Sequence, residues 1–561
     1  MRNRKAEAED KSGEVSRRTF LYGLGGAAGL TVFAGRGKAE IAETIDKFAQ
    51  SEPVRWQTGK SRSERAYRLR LAAARKQKQF PYPQQFANGD ESLYSNKIGT
   101  FTKGLVHDYR GEVDPAAYAV FKKALDDGDF ENMEKVPMGN SKKLVNPLGG
   151  NSFSLDGRDS PQYNLGPAPR FNSPEIASEL IELYWMALSR DVHFEDYEQS
   201  ELIGRAVGEI SRLPYFKQKN GGSINPKTLF RGLKQEDPNS PFVSQFILKN
   251  VPLGACTLEQ KLHVPVAGLD YLHTFDRWLD IQRGAPAGLN PLGAMTGYEL
   301  DKTPRLIVNA RDLGEFVHRD QTYIPFLHAC LILLGSGSAR DLGNPYRRSR
   351  TQTGFCTFGE PHILDLLARV ANAALRACWY QKWSVHLHLR PETFAGRLDL
   401  VKNGKADYPV SPVALNSEVL GPIFSRTGNY LLPQAYPEGA PLHPAYPSGH
   451  SVIAGACATV LKAYFDEETY LRNPVVPSRD GSKLLPYKGG GLTIGGELNK
   501  LADNIGIGRM MAGIHWRSDH LGGLLLGESV AIDLLKESKD CFSETHAAFS
   551  LTKFDGTTII V

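Results

Sequence analysis

A chain of 561 residues with 41% hydrophobic and 23% charged side chains has the make-up of a folded globular protein, and its length fits several average domains or one large helical domain with long surface excursions. The formal net charge is +5, but residues 1–39 hold eight Lys or Arg against four Asp or Glu, which leaves about +1 for the remainder. A nearly neutral body with no massed basic face excludes an electrostatic case for nucleic-acid or membrane-surface binding.

At the N-terminus, Ser16-Arg17-Arg18-Thr19-Phe20-Leu21 runs into an uncharged, Gly- and Ala-rich stretch from Leu21 to Gly35. The order of charged, apolar and small residues reads as a twin-arginine export signal over residues 1–39, with processing near Ala39, and predicts a periplasmic or secreted protein. No other stretch offers the roughly 20 apolar residues a bilayer-spanning helix needs, so no membrane span is expected. Residues 40–100 read as an N-terminal arm, with a basic, Ala-rich helix over Ser61–Gln79 that Pro81, Pro83, Asn88 and Gly89 interrupt. Residues 101–561 read as one helical domain, whose C-terminal half, 311–535, carries the residues that suggest chemistry. Helical periodicity is found over Glu175–Ser189, Tyr323–Leu334, His362–Trp379, Ser451–Phe465 and His520–Leu535, and the last four are apolar nearly all round, as helices buried in a bundle are. Gly335–Thr353 and Asp466–Glu497 read as Gly/Pro/Ser-rich connections. Few segments alternate with period two, so the predicted fold is mainly α, a helical bundle with few short strands. The six cysteines are spread too widely for a zinc site or a disulfide-stapled scaffold, and no C-x-x-C-H haem attachment is present.

Three clusters in the C-terminal half gather groups that suit an oxyanion. Lys382 is followed by Arg390 and Pro391; eight residues of helix rotate by about 80° beyond two full turns, which would let both cations lean to one side. Pro447-Ser448-Gly449-His450 opens the apolar helix, where glycine permits close backbone approach, free N–H groups point at an anion, and proline suits a first helical position. Arg509 is followed by Gly513, His515 and Asp519: a bend at Gly513 is needed for Arg509 and His515 to converge, and Asp519 can accept from the imidazole and fix its tautomer. Each cluster alone has a plain structural explanation. Together they put three permanent cations, a helix N-terminus and two histidines in one core, a costly arrangement unless a multiply charged anion balances it.

Lys382 with Arg390-Pro391, Pro447-Ser448-Gly449-His450 and Arg509-x5-His515-x3-Asp519 resemble the three-part signature of the acid phosphatase and vanadium haloperoxidase superfamily. Asn88-Gly89-Asp90-Glu91, Asn96-Lys97-Ile98-Gly99, Lys143-Leu144-Val145-Asn146-Pro147, Tyr184-Trp185-Met186-Ala187-Leu188, Arg311-Asp312-Leu313 and Phe358-Gly359-Glu360-Pro361-His362 extend the likeness to bromoperoxidases of the red-algal and bacterial type. The resemblance implies a vanadium-dependent haloperoxidase fold and vanadate as cofactor. It implies His515 as the axial vanadium ligand, with Lys382, Arg390, Ser448, Gly449 and Arg509 binding the vanadate oxygens. His450 becomes the acid and base, and Lys382 the group that polarises peroxide. His443 stands where bromoperoxidases tend to carry histidine and chloroperoxidases an aromatic residue, and is expected to tune protonation around the site. Asp320, in Val317-His318-Arg319-Asp320, is a candidate partner for a cage arginine. The implied partners are hydrogen peroxide, halide and small organic acceptors, and the implied assembly is a homo-oligomer. Some proteins of the family bind calcium, but the loop Gly335–Thr353 does not by itself identify such a site.

Two other readings use the same residues. A phosphatase would use His515 as nucleophile and His450 as leaving-group acid. A non-catalytic oxyanion binder needs the cations and N–H groups but has no use for His450.

Overall fold

A computed structural model describes residues 31–33 and 59–561 apart from 214, 217–223, 234–236, 288–298 and 545. The twin-arginine pair and the expected processing point near Ala39 lie outside the described residues. Nine helices matter for the site: α1 (Gly59–Gln79), α2 (Pro174–Leu188), α3 (Ala310–Phe316), α4 (Ile324–Gly335), α5 (Glu360–Tyr380), α6 (Pro391–Lys402), α7 (Gly449–Tyr464), α8 (Ile494–Met511) and α9 (Arg517–Lys539). The fold is mainly α, as the sequence predicts. Its described strands are three residues long: an antiparallel sheet of order β1 (Thr31–Phe33), β7 (Thr558–Ile560), β6 (Ser550–Thr552), and two hairpins, β2–β3 (Val251–Leu253, Cys256–Leu258) and β4–β5 (Val475–Pro477, Leu484–Pro486). The register pairs Thr31 with Ile560 and Leu551 with Ile559.

α7 shows why the bundle forms. Fifteen of its sixteen residues are buried, so it needs partners on every side. α9 comes closest because the crossing is lined with small residues. A Cβ at Gly455 would meet the Leu524 backbone, and one at Gly527 would meet the carbonyl of Val452. α4, α5, α8 and the C-terminal strands close the rest of this core, through Cys330, Leu366, Val370, Leu498 and Ile559. A second core groups α2 with Phe394 of α6, Ile507 and Met510 of α8, and Trp516. A third packs Phe101 and Phe121 against Trp383. The oxyanion-type residues lie where the three cores meet.

Several sequence expectations need adjustment. α8 was not marked by periodicity, and its first turn occupies the end of what read as the Asp466–Glu497 connection. The other part of that connection carries the β4–β5 hairpin. Residues 88–100, placed in the arm from sequence, thread into the body: the Asp90 carboxylate accepts from the Phe171 N–H at 2.8 Å, and Thr100 bridges His388. No helix among the described residues is long and apolar enough to cross a membrane.

Candidate active site

Lys382 and Arg390 do not share a helix face as their spacing suggested. α5 gives way to a π turn, Gln381–His386, which holds Lys382; Leu387 then takes a left-handed φ of 42° and ends it. Arg390 is the N-cap residue of α6, with Pro391 entering the helix. A π turn wedges one extra residue into a helix and recurs at functional sites. Here it turns both cations onto the segment preceding α7. Lys382 Nζ donates to the carbonyls of Pro444 (2.6 Å) and Ala445 (2.8 Å). Arg390 donates from Nε to His443 O (3.0 Å) and from its terminal nitrogens to Ile514 O (2.8 Å) and His443 Nδ1 (3.0 Å).

That segment leads into the α7 N-terminus. Ser448 is the N-cap: its hydroxyl accepts from the Ser451 N–H at 3.4 Å, and its own N–H donates to Asp519 O at 2.9 Å. Pro447 therefore precedes the cap and is not the first helical residue; Gly449 is. A Cβ on Gly449 would come within 3.2 Å of the Trp379 indole, so glycine keeps the first turn open to a ligand.

The third cluster comes from the α8–α9 corner. Arg509 sits in the last turn of α8, and Gly513, at φ 85°, reverses the chain and brings His515 back beside Arg390. Asp519 accepts from His515 Nδ1 at 2.7 Å and from the Trp516 N–H at 2.9 Å. A carboxylate only accepts, so Nδ1 carries the proton, and the Nε2 lone pair faces the guanidinium of Arg390 at 3.0 Å. An imidazole held this way offers one fixed nitrogen as a ligand.

Asp320 does not pair with a cage arginine. Its carboxylate lies 2.9 Å from His450 Nε2, because the turn after α3 passes over the start of α7, so it is placed to orient that imidazole. Arg509 instead donates to Val317 O of the same turn. Sequence reasoning missed Trp379, whose ring centroid is 5.0 Å from that of His443 and 5.9 Å from Lys382 Nζ. It also missed His388, whose Nδ1 is 3.8 Å from Asp519. Only proximity in sequence to Lys382 and Arg390 could have flagged either one. Two cavities, one of about 290 Å³ beside Phe194 and Phe242 and one of about 840 Å³ beneath α1, contain none of these side chains.

Burial pushes the Lys382 amine down to about 7 and, with Arg509 nearby, the Arg390 guanidinium to about 9. His515 is held well below the ordinary histidine range by burial and Arg390, and His443 by burial, Lys382 and Arg390. His450 is lowered by burial against the opposing pull of Asp320. Burial would raise Asp519, but the imidazoles of His388 and His515 outweigh it and keep the carboxylate ionised. Arg509 Nε is buried without a hydrogen-bond partner. The cluster is thus over-supplied with positive charge and donors, which a buried site tolerates only if an anion completes it. Vanadate fits this donor set. Lys382, Arg390, Arg509, Ser448 and the Gly449 N–H would hold its oxygens, and His515 Nε2 would bind the metal. Among the described residues, no three His, Cys, Asp or Glu side chains gather to hold a metal ion.

Comparison with known proteins agrees with the geometry. Residues 363–544 match a family model described as the VCPO second helical-bundle domain. The chain is 33% identical to a vanadium-dependent bromoperoxidase of Corallina pilulifera, over 89% of this chain and 98% of that protein. It is 35% identical to one of Ascophyllum nodosum, over 89% and 92%. The solved homohexameric structure of the second vanadate-dependent bromoperoxidase of Ascophyllum nodosum superposes with a TM-score of 0.84 at 29% identity, covering 92% of this chain and 95% of that one. Matched over nearly its whole length in sequence and in fold, the chain belongs to the vanadium-dependent bromoperoxidase family.

Proposed function

We propose that the protein is a vanadium-dependent bromoperoxidase, which oxidises bromide with hydrogen peroxide to hypobromous acid and so halogenates small organic acceptors. The observation that carries this reading over phosphate-ester hydrolysis is the end-to-end likeness to bromoperoxidases, since the cage alone would serve either anion. Bound vanadate supplies a Lewis acid that need not change oxidation state. The chain supplies the rest. Lys382, Arg390 and Arg509 neutralise oxyanion charge, and the α7 N-terminus adds N–H donors. His515, its Nδ1 proton kept by Asp519, presents Nε2 to the metal. His450, kept mostly neutral by burial and aimed by Asp320, takes a proton from incoming peroxide and returns it to the leaving oxygen. Lys382 is placed to polarise the oxidant. His443 shares Arg390 with the cage and tilts the halide preference toward bromide.

The remaining expectations accompany this reading. Export by the twin-arginine route to the periplasm or outside rests on residues 1–39, and the arm that follows ends before Asn88, where the chain enters the catalytic domain. Homo-oligomerisation is supported by the homohexameric relative. Two variants test the assigned roles. His515→Ala should abolish vanadate retention, whereas His450→Ala should keep it and lose turnover by 10² to 10⁴, roughly the range for general acid–base groups. Equal loss of binding in both would contradict the assignment.

A further inference from the structure

The turn after α3 touches the cage twice, through Val317 O to Arg509 and through Asp320 to His450. Between them lies His318, which no role described so far uses. Both of its ring nitrogens face carboxylates: Nδ1 lies 3.1 Å from Glu315 and Nε2 2.8 Å from Glu438. Carboxylates only accept, so satisfying both requires the doubly protonated imidazolium. The ring lies flat on Tyr436, with centroids 3.7 Å apart and planes within 5°. The same tyrosine ring carries the Arg509 guanidinium 5.6 Å from its centroid and is anchored by its hydroxyl to Gly314 O.

We propose that His318 is a positioning residue for the oxyanion cage: clamped as an imidazolium between Glu315 and Glu438, it fixes Tyr436 and the Val317–Asp320 turn, which together aim Arg509 and His450. The inference rests on the vanadate reading of the site. Burial pushes the His318 imidazole down, but its hydrogen bonds to Glu315 and Glu438 more than offset this and leave it above the ordinary histidine value. Other charges around the clamp are Arg319, 3.9 Å from Glu315, Lys142, which acts on Glu438, and Arg509 beyond Tyr436; Tyr271 feels both carboxylates.

The sign follows from the raised value. Below it, both clamps are made. As pH rises through it, His318 loses one N–H, a carboxylate faces a lone pair, and the wall beside Arg509 becomes more negative by one charge. Both effects weaken the hold on an oxyanion.

The test is equilibrium dialysis of orthovanadate against vanadate-free protein from about pH 5.5 to about pH 9, for wild type, His318→Gln and Glu438→Gln, with circular dichroism confirming the fold. His318→Gln should bind about tenfold more weakly at the acid end, the scale of one charge acting through a partly buried path, and converge with wild type at the alkaline end. Glu438→Gln should shift the wild-type decline to lower pH, and it decides alone if the histidine variant does not fold. A ratio of affinities constant across pH, or an unmoved decline in Glu438→Gln, would overturn the inference while leaving the cage intact. No vanadate binding by wild type at any pH would overturn the cage and the inference with it.

Discussion

Lys382→Met in the vanadate-free protein isolates what it costs to keep an amine in this core. Lys382 has no exposed surface, and burial pushes its amine from 10.5 to about 7. Between those values the unfolded chain binds one more proton than the folded one, so folding is disfavoured at the acid end and stability climbs with pH at about 1.4 kcal/mol per unit. From pH 7 to pH 10 this sums to roughly 4 kcal/mol. Unfolding entropy near 2.1 cal/mol/K per residue is roughly 1 kcal/mol/K for a chain of this size, so the gain is about 4 °C in Tm. Methionine fills similar volume but forfeits the hydrogen bonds to Pro444 O and Ala445 O, a loss that does not depend on pH. Calorimetry of both proteins across this range should show the wild-type Tm gaining about 4 °C on the variant between the two ends. Parallel profiles would mean that the amine is not perturbed, and the argument from an over-supply of positive charge would fail. Added vanadate should raise the wild-type Tm and leave Lys382→Met almost unmoved.

Asp519→Asn removes the acceptor that fixes the His515 tautomer, and vanadate affinity measured by dialysis should fall 10- to 100-fold, roughly the range for residues that orient metal-binding histidines; unchanged affinity would refute that role. Asp320→Asn should leave vanadate affinity within about twofold and lower kcat by about 10², since Asp320 acts through His450; a loss confined to vanadate binding would contradict the placement. His443→Phe should raise chloride turnover relative to bromide, read from competition assays, and an unchanged ratio would remove His443 from halide preference. Gly527→Leu drives a side chain into Val452 O at the α7–α9 crossing and should cost about 2 kcal/mol, seen as a lower Tm with the activity of the folded fraction retained.

What could be read from the sequence follows from how local each signal is. α7 was legible because it is apolar nearly all round, and α5 and α9 because their buried apolar residues recur at helical spacing. α8 was not, because it is buried on nearly every side and its Leu498, Leu501, Ile505 and Ile507 are interspersed with glycines and polar groups whose partners are distant: Asn504 accepts from Ser244 N–H, and Asp503 meets His520. Small residues there serve close packing, and no periodicity records that. His515 and Asp519 are four residues apart and could be paired on paper, and the bend at Gly513 followed from glycine's freedom to adopt its φ of 85°. Lys382 and Arg390 both reach the segment before α7 but do so from two elements, not from one helix face, since neither a π turn nor a left-handed Leu387 has a pattern at this length. Asp320 meets His450 across 130 positions, and the His318 clamp closes across 120; only the fold brings such pairs together.

The most direct test of the central claim is to add vanadate to the purified vanadate-free protein, then peroxide and bromide, and to follow bromination of a phenolic dye alongside hydrolysis of a phosphate ester. The account predicts vanadate-dependent bromination that is lost in Lys382→Met and His515→Ala. Hydrolysis of the ester without bromination would contradict it and assign the same cage to phosphate.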